Sequence, residues 1–216
     1  MNTSVPLPAG ARFAEAYAEQ SVATVHEAAS RTGALSHAVK PIAPGMKLSG
    51  AAFPLRLSPG DNLALHEAIY AAPAGSVLVI DAFDYLEAGP FGEIMAVAAQ
   101  VRGIAGLVTS GSVRDRDAIA ALGFAVFAKG LSVKGTVKEV PARLHRAVII
   151  DGIEIHPGDW VLGDSDGVVV IAQQRAEAVL QHAIEREAKE RQVIERIRAG
   201  ERTLDIYDFG STGDKP

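Results

Sequence analysis

The stretch Gly89-Pro-Phe-Gly-Glu-Ile-Met-Ala-Val-Ala-Ala-Gln-Val-Arg-Gly-Ile-Ala-Gly-Leu-Val-Thr-Ser-Gly-Ser-Val-Arg-Asp-Arg-Asp117 decides the reading of the whole chain. Gly89, Pro90 and Gly92 interrupt any regular element, whereas Glu93 to Val101 contains no breaker and spans about two to three helical turns. Arg102 and Gly103 supply a cationic last turn and a helix-ending glycine. Ile104 to Val108 is a short apolar run of the kind that forms a buried strand. Ser110-Gly111-Ser112 ends it, and Arg114-Asp115 leads into a second helix over Ala118 to Leu122. Charged residues stand only where elements end. In open α/β sheets ligands collect outside the carboxyl ends of strands, beside helix N-termini whose free N–H groups attract anions. Glu93, Arg114 and Asp115 all fall in such places. The same residues also admit a purely structural reading, with Asp115 capping the following helix, Glu93 complementing its helix dipole and Arg114 pairing with either carboxylate.

Upstream, Ser76 to Ile80 reads as an apolar strand ending at Asp81. It is preceded by a helix over Leu63 to Ala71, whose N-cap lies in the turn Ser58-Pro-Gly-Asp-Asn62. Met46 to Leu57 alternates as one or two strands around Pro54, Lys40 to Gly45 is a loop, and Ala11 to Arg31 is helical. Thr24-Val-His-Glu27 has the form of a capping box that restarts a helix, and Gly33 ends the segment. Downstream, Gly123 to Lys129 is the next apolar strand. Helices alternating with continuous apolar strands imply a partly parallel sheet covered on both faces.

Past Gly135 the texture turns to Val, Ile and Thr with repeated turns, including a hairpin about Asp151-Gly152 and a strand over Val168 to Ile171. This half reads as barrel or sandwich rather than βαβ. Gln174 to Ala199 is a long charged helix, ended by Gly200, with Val179, Ile184, Val193 and Ile197 on one narrow apolar face. So narrow a face suits contact with a neighbouring subunit, and Leu204 to Phe209 would dock afterwards. The expected organisation is one domain over residues 1–216, with an N-terminal helical segment (1–33) and a C-terminal helix (174–200).

With 21 Lys and Arg against 26 Asp and Glu, the net charge is −5, without the basic excess of a phosphate-backbone binder. Nucleic acid is not expected as a partner. The absence of cysteine excludes a disulfide frame, a cysteine-zinc site and a thiol nucleophile, and suits a reducing cytosol. No apolar run approaches about 18 residues, and the first residues lack the basic and apolar regions of a signal peptide. A cytoplasmic protein without a membrane segment is the expectation.

Gly163-Asp-Ser-Asp-Gly167 matches G-x-S-x-G, but a strand rather than a helix follows it, so a hairpin turn is the better reading. Asp164 and Asp166 lack the remaining ligands of a calcium loop. The six histidines (His26, His37, His66, His145, His156, His182) neither cluster nor form H-E-x-x-H, and read as surface or packing residues. Lys129 stands at a strand end, a place suited to the amine of a Schiff-base aldolase, a minor alternative. No G-x-G-x-x-G or P-loop is present.

Gly92-Glu93-Ile-Met, then Arg-Gly-Ile-Ala-Gly-Leu-Val from Arg102, then Gly111-Ser-Val-Arg-Asp115 together resemble the signature of the RraA-like superfamily. Within it the chain looks most like the 4-hydroxy-4-methyl-2-oxoglutarate / 4-carboxy-4-hydroxy-2-oxoadipate aldolases. The similarity extends through Thr24-Val-His-Glu-Ala, Pro59-Gly-Asp-Asn62, Val126-Phe-Ala-Lys-Gly130, Pro157-Gly-Asp159 and Asp164-Ser-Asp-Gly-Val168. The resemblance implies an α/β fold of the swivelling β/β/α type with mixed sheets. It implies a divalent-metal-dependent pyruvate aldolase that cleaves 4-hydroxy-2-oxo acids, with oxaloacetate decarboxylation as a side activity.

In that reading Asp115 is the direct ligand to Mg²⁺ or Mn²⁺, and Glu93 occupies the acidic position that holds the metal's water. Arg114 binds the ketone and carboxylate oxygens of the pyruvyl group, and the backbone at Gly92, Ile94 and Met95 receives its carboxylate. The chemistry agrees with these positions. Mg²⁺ takes only one or two carboxylates and keeps several waters, a helix N-terminus suits a carboxylate, and a planar guanidinium suits a 2-oxo acid.

The resemblance further implies homotrimers or homohexamers in which a glutamate of the neighbour's C-terminal helix closes the site. Glu190 matches best, ahead of Glu187 and Glu195, with a solvated helix face as the plain alternative. One departure is the loop Asp81-Ala-Phe-Asp-Tyr-Leu-Glu87, where many relatives have a glycine-rich segment; a bulkier, more acidic rim bears on which substrate enters. The rival of another class is a non-catalytic binding protein like the regulator of ribonuclease activity A. Such regulators lack the aspartate after the arginine.

Overall fold

Every residue of Ser76–Asp81 is buried, and a strand with no polar face has to lie inside a sheet covered on both sides. In the computed structural model, which describes residues 9–141 and 144–209, this strand is the centre of the molecule. The helices are α1 (Ala9–Ala18), α2 (Val22–Ala28), α3 (Leu63–Ala71), α4 (Glu93–Val101), α5 (Arg116–Leu122), α6 (Ala176–Arg198) and α7 (Thr203–Ile206). The strands of the first part are β1 (Lys40–Pro41), β2 (Leu48–Arg56), β3 (Ser76–Asp81), β4 (Gly106–Thr109), β5 (Ser112–Val113), β6 (Val126–Ala128) and β7 (Gly130–Leu131). Those of the second are β8 (Val148–Ile150), β9 (Ile153–Ile155), β10 (Trp160–Asp164) and β11 (Gly167–Ile171).

The seven-stranded sheet runs β1-β6-β4-β3-β2-β10-β11. β2, β3, β4 and β6 are parallel neighbours joined through α3, α4 and α5, as the alternation of helices and apolar strands implies. The mixed α/β architecture and the long C-terminal helix follow the expectation. β10 and β11 join the same sheet as an antiparallel hairpin on β2, so the second half of the chain completes the first sheet and does not build a separate one. The small hairpin β8–β9 turns at Asp151-Gly152 and buries Val148, Ile150 and Ile155 in the common core.

Residues 33–42 nearly close the sheet. The Val170 N–H donates to the Gly33 carbonyl at 2.8 Å and the Leu35 N–H to the Val168 carbonyl at 3.0 Å, after which β1 pairs with β6. Phe127 of β6 is fully buried, and a Cβ added at Gly163 of β10 would stand 2.7 Å from its ring. Those two strands are four places apart in the sheet order, so the ring reaches Gly163 across the interior of a curled sheet. On the outer face α1, α2 and α6 bury Tyr17, Val25, Trp160, Val179 and Ala183 in a second cluster. The Tyr17 hydroxyl donates to the Ala176 carbonyl at 2.6 Å and ties α1 to α6.

Of the alternatives open for Met46 to Leu57 the structure holds the single strand, through Pro54, because β10 pairs only with Leu48 to Ala51 and the missing N–H falls beyond its end. Three local expectations are corrected. Helix α2 is capped by Ser21, whose side chain accepts the Thr24 N–H at 3.0 Å, so Thr24 is the third helical residue and not the cap. Of the apolar face expected on α6 only Val179 is buried; Ile184 and Ile197 are exposed, because the packing against α2 involves only the first turns of so long a helix. Leu204, Tyr207 and Phe209 are likewise exposed, with Tyr207 stacked on Phe209 instead of docked on the core. Among the described residues no helix is long and apolar enough to cross a membrane.

Because the Phe127 ring fills the space over Gly163, Gly163→Ala should cost about 1–3 kcal/mol of stability by overpacking. The shift of the urea midpoint at constant m-value measures it.

Candidate functional site

Helix α4 begins at Glu93 because Gly92 adopts an extended conformation that no helical residue shares. The first N–H groups of a helix have no partner within it. Here the Glu93 N–H donates to Asp115 Oδ2 at 3.0 Å. Asp115 stands in the N-cap position of its own helix α5 but makes no side-chain cap bond there. The structural reading of Asp115 as the cap of the following helix is therefore corrected: it caps α4 from across the loop.

This geometry depends on two backbone features. Asp115 is left-handed (φ 58°, ψ 36°), a conformation that is uncommon and costly for a residue with a side chain. The Arg114 N–H donates to the Phe91 carbonyl at 2.9 Å and fixes the loop against it. A Cβ at Gly92 would lie 2.3 Å from Asp115 Oδ2 and 3.0 Å from Arg114 Nε, so any other residue would push both side chains away from the helix end. Arg114 Nε lies 3.6 Å from the same Asp115 oxygen, and both side chains are about two-fifths exposed.

Arg114 and Asp115 form a wall between two cavities. An open cleft of about 630 Å³ contains Glu93, Arg116, Asp117, Ser132 and Val133. On the α3 side lies a smaller chamber of about 140 Å³, lined by Asn62, His66, Ile94, Met95 and Lys138 among others. The structure thus brings together Gly92, Glu93, Ile94, Met95, Arg114 and Asp115, all singled out from sequence. Glu190 does not line either cavity; it is half-buried on α6, where Arg186 Nε pairs with it at 2.9 Å.

Among the described residues no group of three or more His, Asp or Glu side chains is arranged to hold a metal. The donor set that remains is hard oxygen: one partly exposed carboxylate at Asp115, with Glu93 and Asp117 along the same open cleft. Mg²⁺ and Mn²⁺ accept such a set, since they keep most of their ligands as water.

Asn62, His66 and Lys138 were missed as site residues. Asn62 and His66 are four apart at the start of α3 and so share a face, a signal present in the sequence. Lys138 comes from a loop with no periodicity, and a buried carboxylate places it. Asp61 Oδ2 accepts the N–H groups of Glu139 (2.7 Å) and Val140 (3.1 Å), and Oδ1 that of Leu63 (2.8 Å). Burial pushes the Asp61 pKa up, but these bonds, with help from the Lys138 charge, outweigh it and hold the carboxyl below its ordinary value.

The acidic loop after β3 differs from its expected character. Asp81 pairs with Arg56 at 2.9 Å, Asp84 with Lys129 at 2.7 Å, and Glu87 with Lys134. Its acids are neutralised in place. Lys129 also binds Asp151 at 2.5 Å. Burial works to lower the Lys129 pKa, but the hydrogen bonds to Asp151 and Asp84 prevail and raise it. An amine held as an ammonium is unsuited to Schiff-base formation.

A family model described as RraA-like, Aldolase/RraA, matches residues 22–170. The chain belongs to the RraA-like family. A Halalkalibacterium halodurans relative named "Putative 4-hydroxy-4-methyl-2-oxoglutarate aldolase" is 34% identical over 169 residues, covering 76% of this chain and 80% of that protein. Among solved structures, an uncharacterized Pseudomonas syringae pv. tomato protein superposes with a TM-score of 0.79 at 27% identity, over 91% of this chain and 97% of that one. The RNA-processing inhibitor RraA of Thermus thermophilis gives 0.66 at 25% identity, over 71% and 93%. RraA-like proteins similar to this chain thus include both proteins named as aldolases and an inhibitor of RNA processing.

The lowered Asp61 pKa sets a pH dependence. Its stabilisation is complete above the unfolded carboxyl value of about 3.9 and is lost as the pH falls below that value through the folded pKa. Asp61→Asn should cost about 1–3 kcal/mol at pH 7 by leaving buried N–H groups unmatched. The deficit relative to wild type should shrink as the pH falls below about 3.9, as read from urea midpoints.

Proposed function

We propose that this RraA-like protein is a divalent-metal-dependent pyruvate aldolase acting on 4-hydroxy-2-oxo acids. The observation that carries the reading is the placement of Arg114 and Asp115 side by side over the N-terminus of α4, at the mouth of an open cleft. The names of the aldolase relatives support it. Asp115 would hold Mg²⁺ or Mn²⁺, which when bound supplies Lewis-acid polarisation of the 2-oxo group.

The other roles belong to the chain itself. The backbone N–H groups of Ile94 and Met95 receive the substrate carboxylate, and the Arg114 guanidinium holds the 2-oxo oxygen in plane with it. Glu93, through water, takes the proton leaving the C4 hydroxyl as the C3–C4 bond breaks. The electron pair of that bond passes to C3 and spreads onto the oxygen held by Arg114. A proton from water then returns to C3, releasing pyruvate beside a second oxo acid. Oxaloacetate passes through the same enolate on losing CO₂, which makes decarboxylation the expected side activity.

Oligomers belong to the proposal. Ile94, Val97 and Val101 form an exposed apolar stripe along α4 at helical spacing, and Val133 is 94% exposed nearby on the cleft wall. We place a neighbouring copy on this stripe, in a homotrimer or homohexamer, with Glu190 of α6 reaching towards a neighbour's cleft. The second reading, a binding protein that acts on RNA processing, is favoured by the likeness to the Thermus inhibitor. Ribonuclease capture without any aldolase activity would establish it instead.

Pyruvate release from 4-carboxy-4-hydroxy-2-oxoadipate or 4-hydroxy-4-methyl-2-oxoglutarate should require Mg²⁺ or Mn²⁺ and stop with EDTA. Asp115→Asn should lower kcat/KM about 10²-fold or more; full metal-dependent turnover by that variant would reject the assignment. Val101→Glu should convert the assembly to smaller species in sedimentation velocity, whereas a monomeric wild type would rule out the oligomer.

A further inference from the structure

The lining of the open cleft beyond Arg114 and Asp115 is of two kinds. One part is charged, with Glu93, Arg116 and Asp117. Arg116 Nε already holds Asp117 Oδ1 at 3.1 Å, so that couple is close to neutral, and Glu93 adds a further acid. The other part is apolar. Leu131 and Val133 flank Ser132 beside Ala118, and their side chains are 51% and 94% exposed.

The apolar part is held in place by backbone bonds. Leu131 belongs to β7, which pairs with β5. The Ser132 N–H donates to the Val113 carbonyl at 2.9 Å, and the Gly89 N–H to the Lys134 carbonyl at 3.0 Å. Leu86 extends the surface: a Cβ at Gly130 would stand 3.8 Å from one of its methyl groups. Its carbonyl is fixed by the Ser112 hydroxyl at 3.0 Å, and its side chain is exposed. Large apolar side chains presented beside a polar site mark a surface that an apolar group covers.

The cations near the cleft are committed elsewhere. Among the described residues Lys129 is tied to Asp84 and Asp151, and Lys134 to Glu87; neither lysine lines the cleft. Arg114 is taken up by the oxo-acid head. A carboxylate at the far end of a substrate would give up hydration here without gaining a free cation, and would meet Glu93. A hydrocarbon tail gives up nothing and covers Leu131 and Val133.

We infer that the cleft favours 4-hydroxy-2-oxo acids whose far end is uncharged, with Leu131 and Val133 as the residues that set this preference. Acids with a further carboxylate are then the poorer substrates. The bond chemistry is unchanged: C3–C4 breaks, its electron pair stays with C3, and C4 keeps its oxygen as the carbonyl of the leaving fragment. That fragment is a neutral aldehyde or ketone in place of a second oxo acid. The class of reaction rests on the aldolase reading; the sign of the preference rests on the cleft lining.

Two acids of equal size separate the possibilities, 6-methyl-2-oxoheptanoate and 2-oxoadipate, which differ in carrying an isopropyl or a carboxylate end. Neither has a C4 hydroxyl, so calorimetry with Mg²⁺ present reads binding without turnover. The isopropyl acid should bind about tenfold or more tightly, because the carboxylate loses both hydration and apolar contact. Val133→Lys should abolish or reverse that ratio. Val133→Thr, which keeps the shape, should weaken only the isopropyl acid, by about threefold. Ile149→Lys adds the same charge at an exposed position outside the cleft and should leave the ratio unchanged. Failure of wild type to bind either acid would overturn the aldolase reading and the preference together. Equal binding, or tighter binding of 2-oxoadipate, would overturn the preference and leave the aldolase reading standing. A ratio that Val133→Lys leaves unmoved would do the same, and loss of the assembly by that variant in sedimentation velocity would then assign the apolar surface to a neighbouring copy.

Discussion

The Asp115 carboxylate accepts the Glu93 N–H at the start of α4, and the arrangement of the site follows from that one bond. It requires Asp115 to leave its own helix uncapped and to hold a left-handed backbone. A Cβ on the residue beneath it would push the carboxylate out of place, and Gly92 has none. A helix N-terminus and a carboxylate attract each other, so the carboxylate is held in one orientation before any ligand arrives. Arg114 is the immediate neighbour, and its backbone is tied to Phe91; the guanidinium and the carboxylate are consequently presented as a pair. The sheet below makes this affordable. β3, β4 and β6 are buried and parallel, and their carboxyl ends deliver the loops that meet here.

Much of this was legible before the structure. The breaker-free run from Glu93 to Val101 is α4, the apolar runs at 76–80 and 104–108 cover all but the last residue of β3 and β4, and the run at 123–129 contains β6. Their order fixed where Glu93, Arg114 and Asp115 would stand. What periodicity could not convey was pairing between distant segments. The closure of the sheet depends on residues 33–42 meeting both edges, and the pairing of β5 with β7 joins two pieces of two residues each. The hairpin β10–β11 looked like the start of a different architecture because its alternation carries no information about which edge it joins.

The site residues that escaped notice share a cause. Lys138 is placed by the buried Asp61, a carboxylate that reads in sequence as one member of an ordinary Ser-Pro-Gly-Asp-Asn turn. Asn62 holds the N-cap position of α3 without a side-chain cap bond: the N–H of Leu63 is taken by Asp61 and the Asn62 amide turns to Pro90 instead. The apolar residues of α6 erred in the opposite direction: the stripe was seen, but not that α2 covers only its beginning.

The pairing of Asp81, Asp84 and Glu87 with Arg56, Lys129 and Lys134 affects how an anion arrives as well as how it is held. Each couple presents a dipole whose field dies away within a few ångströms of the surface, while the chain as a whole carries a net charge of −5. A multiply charged acid therefore meets no long-range attraction on its way in. In the proposed reaction selection falls to contact at Arg114, and the net negative charge should slow the capture of an anion, less so as salt screens it. The loop that looked like an electrostatic filter is, in physical terms, nearly transparent.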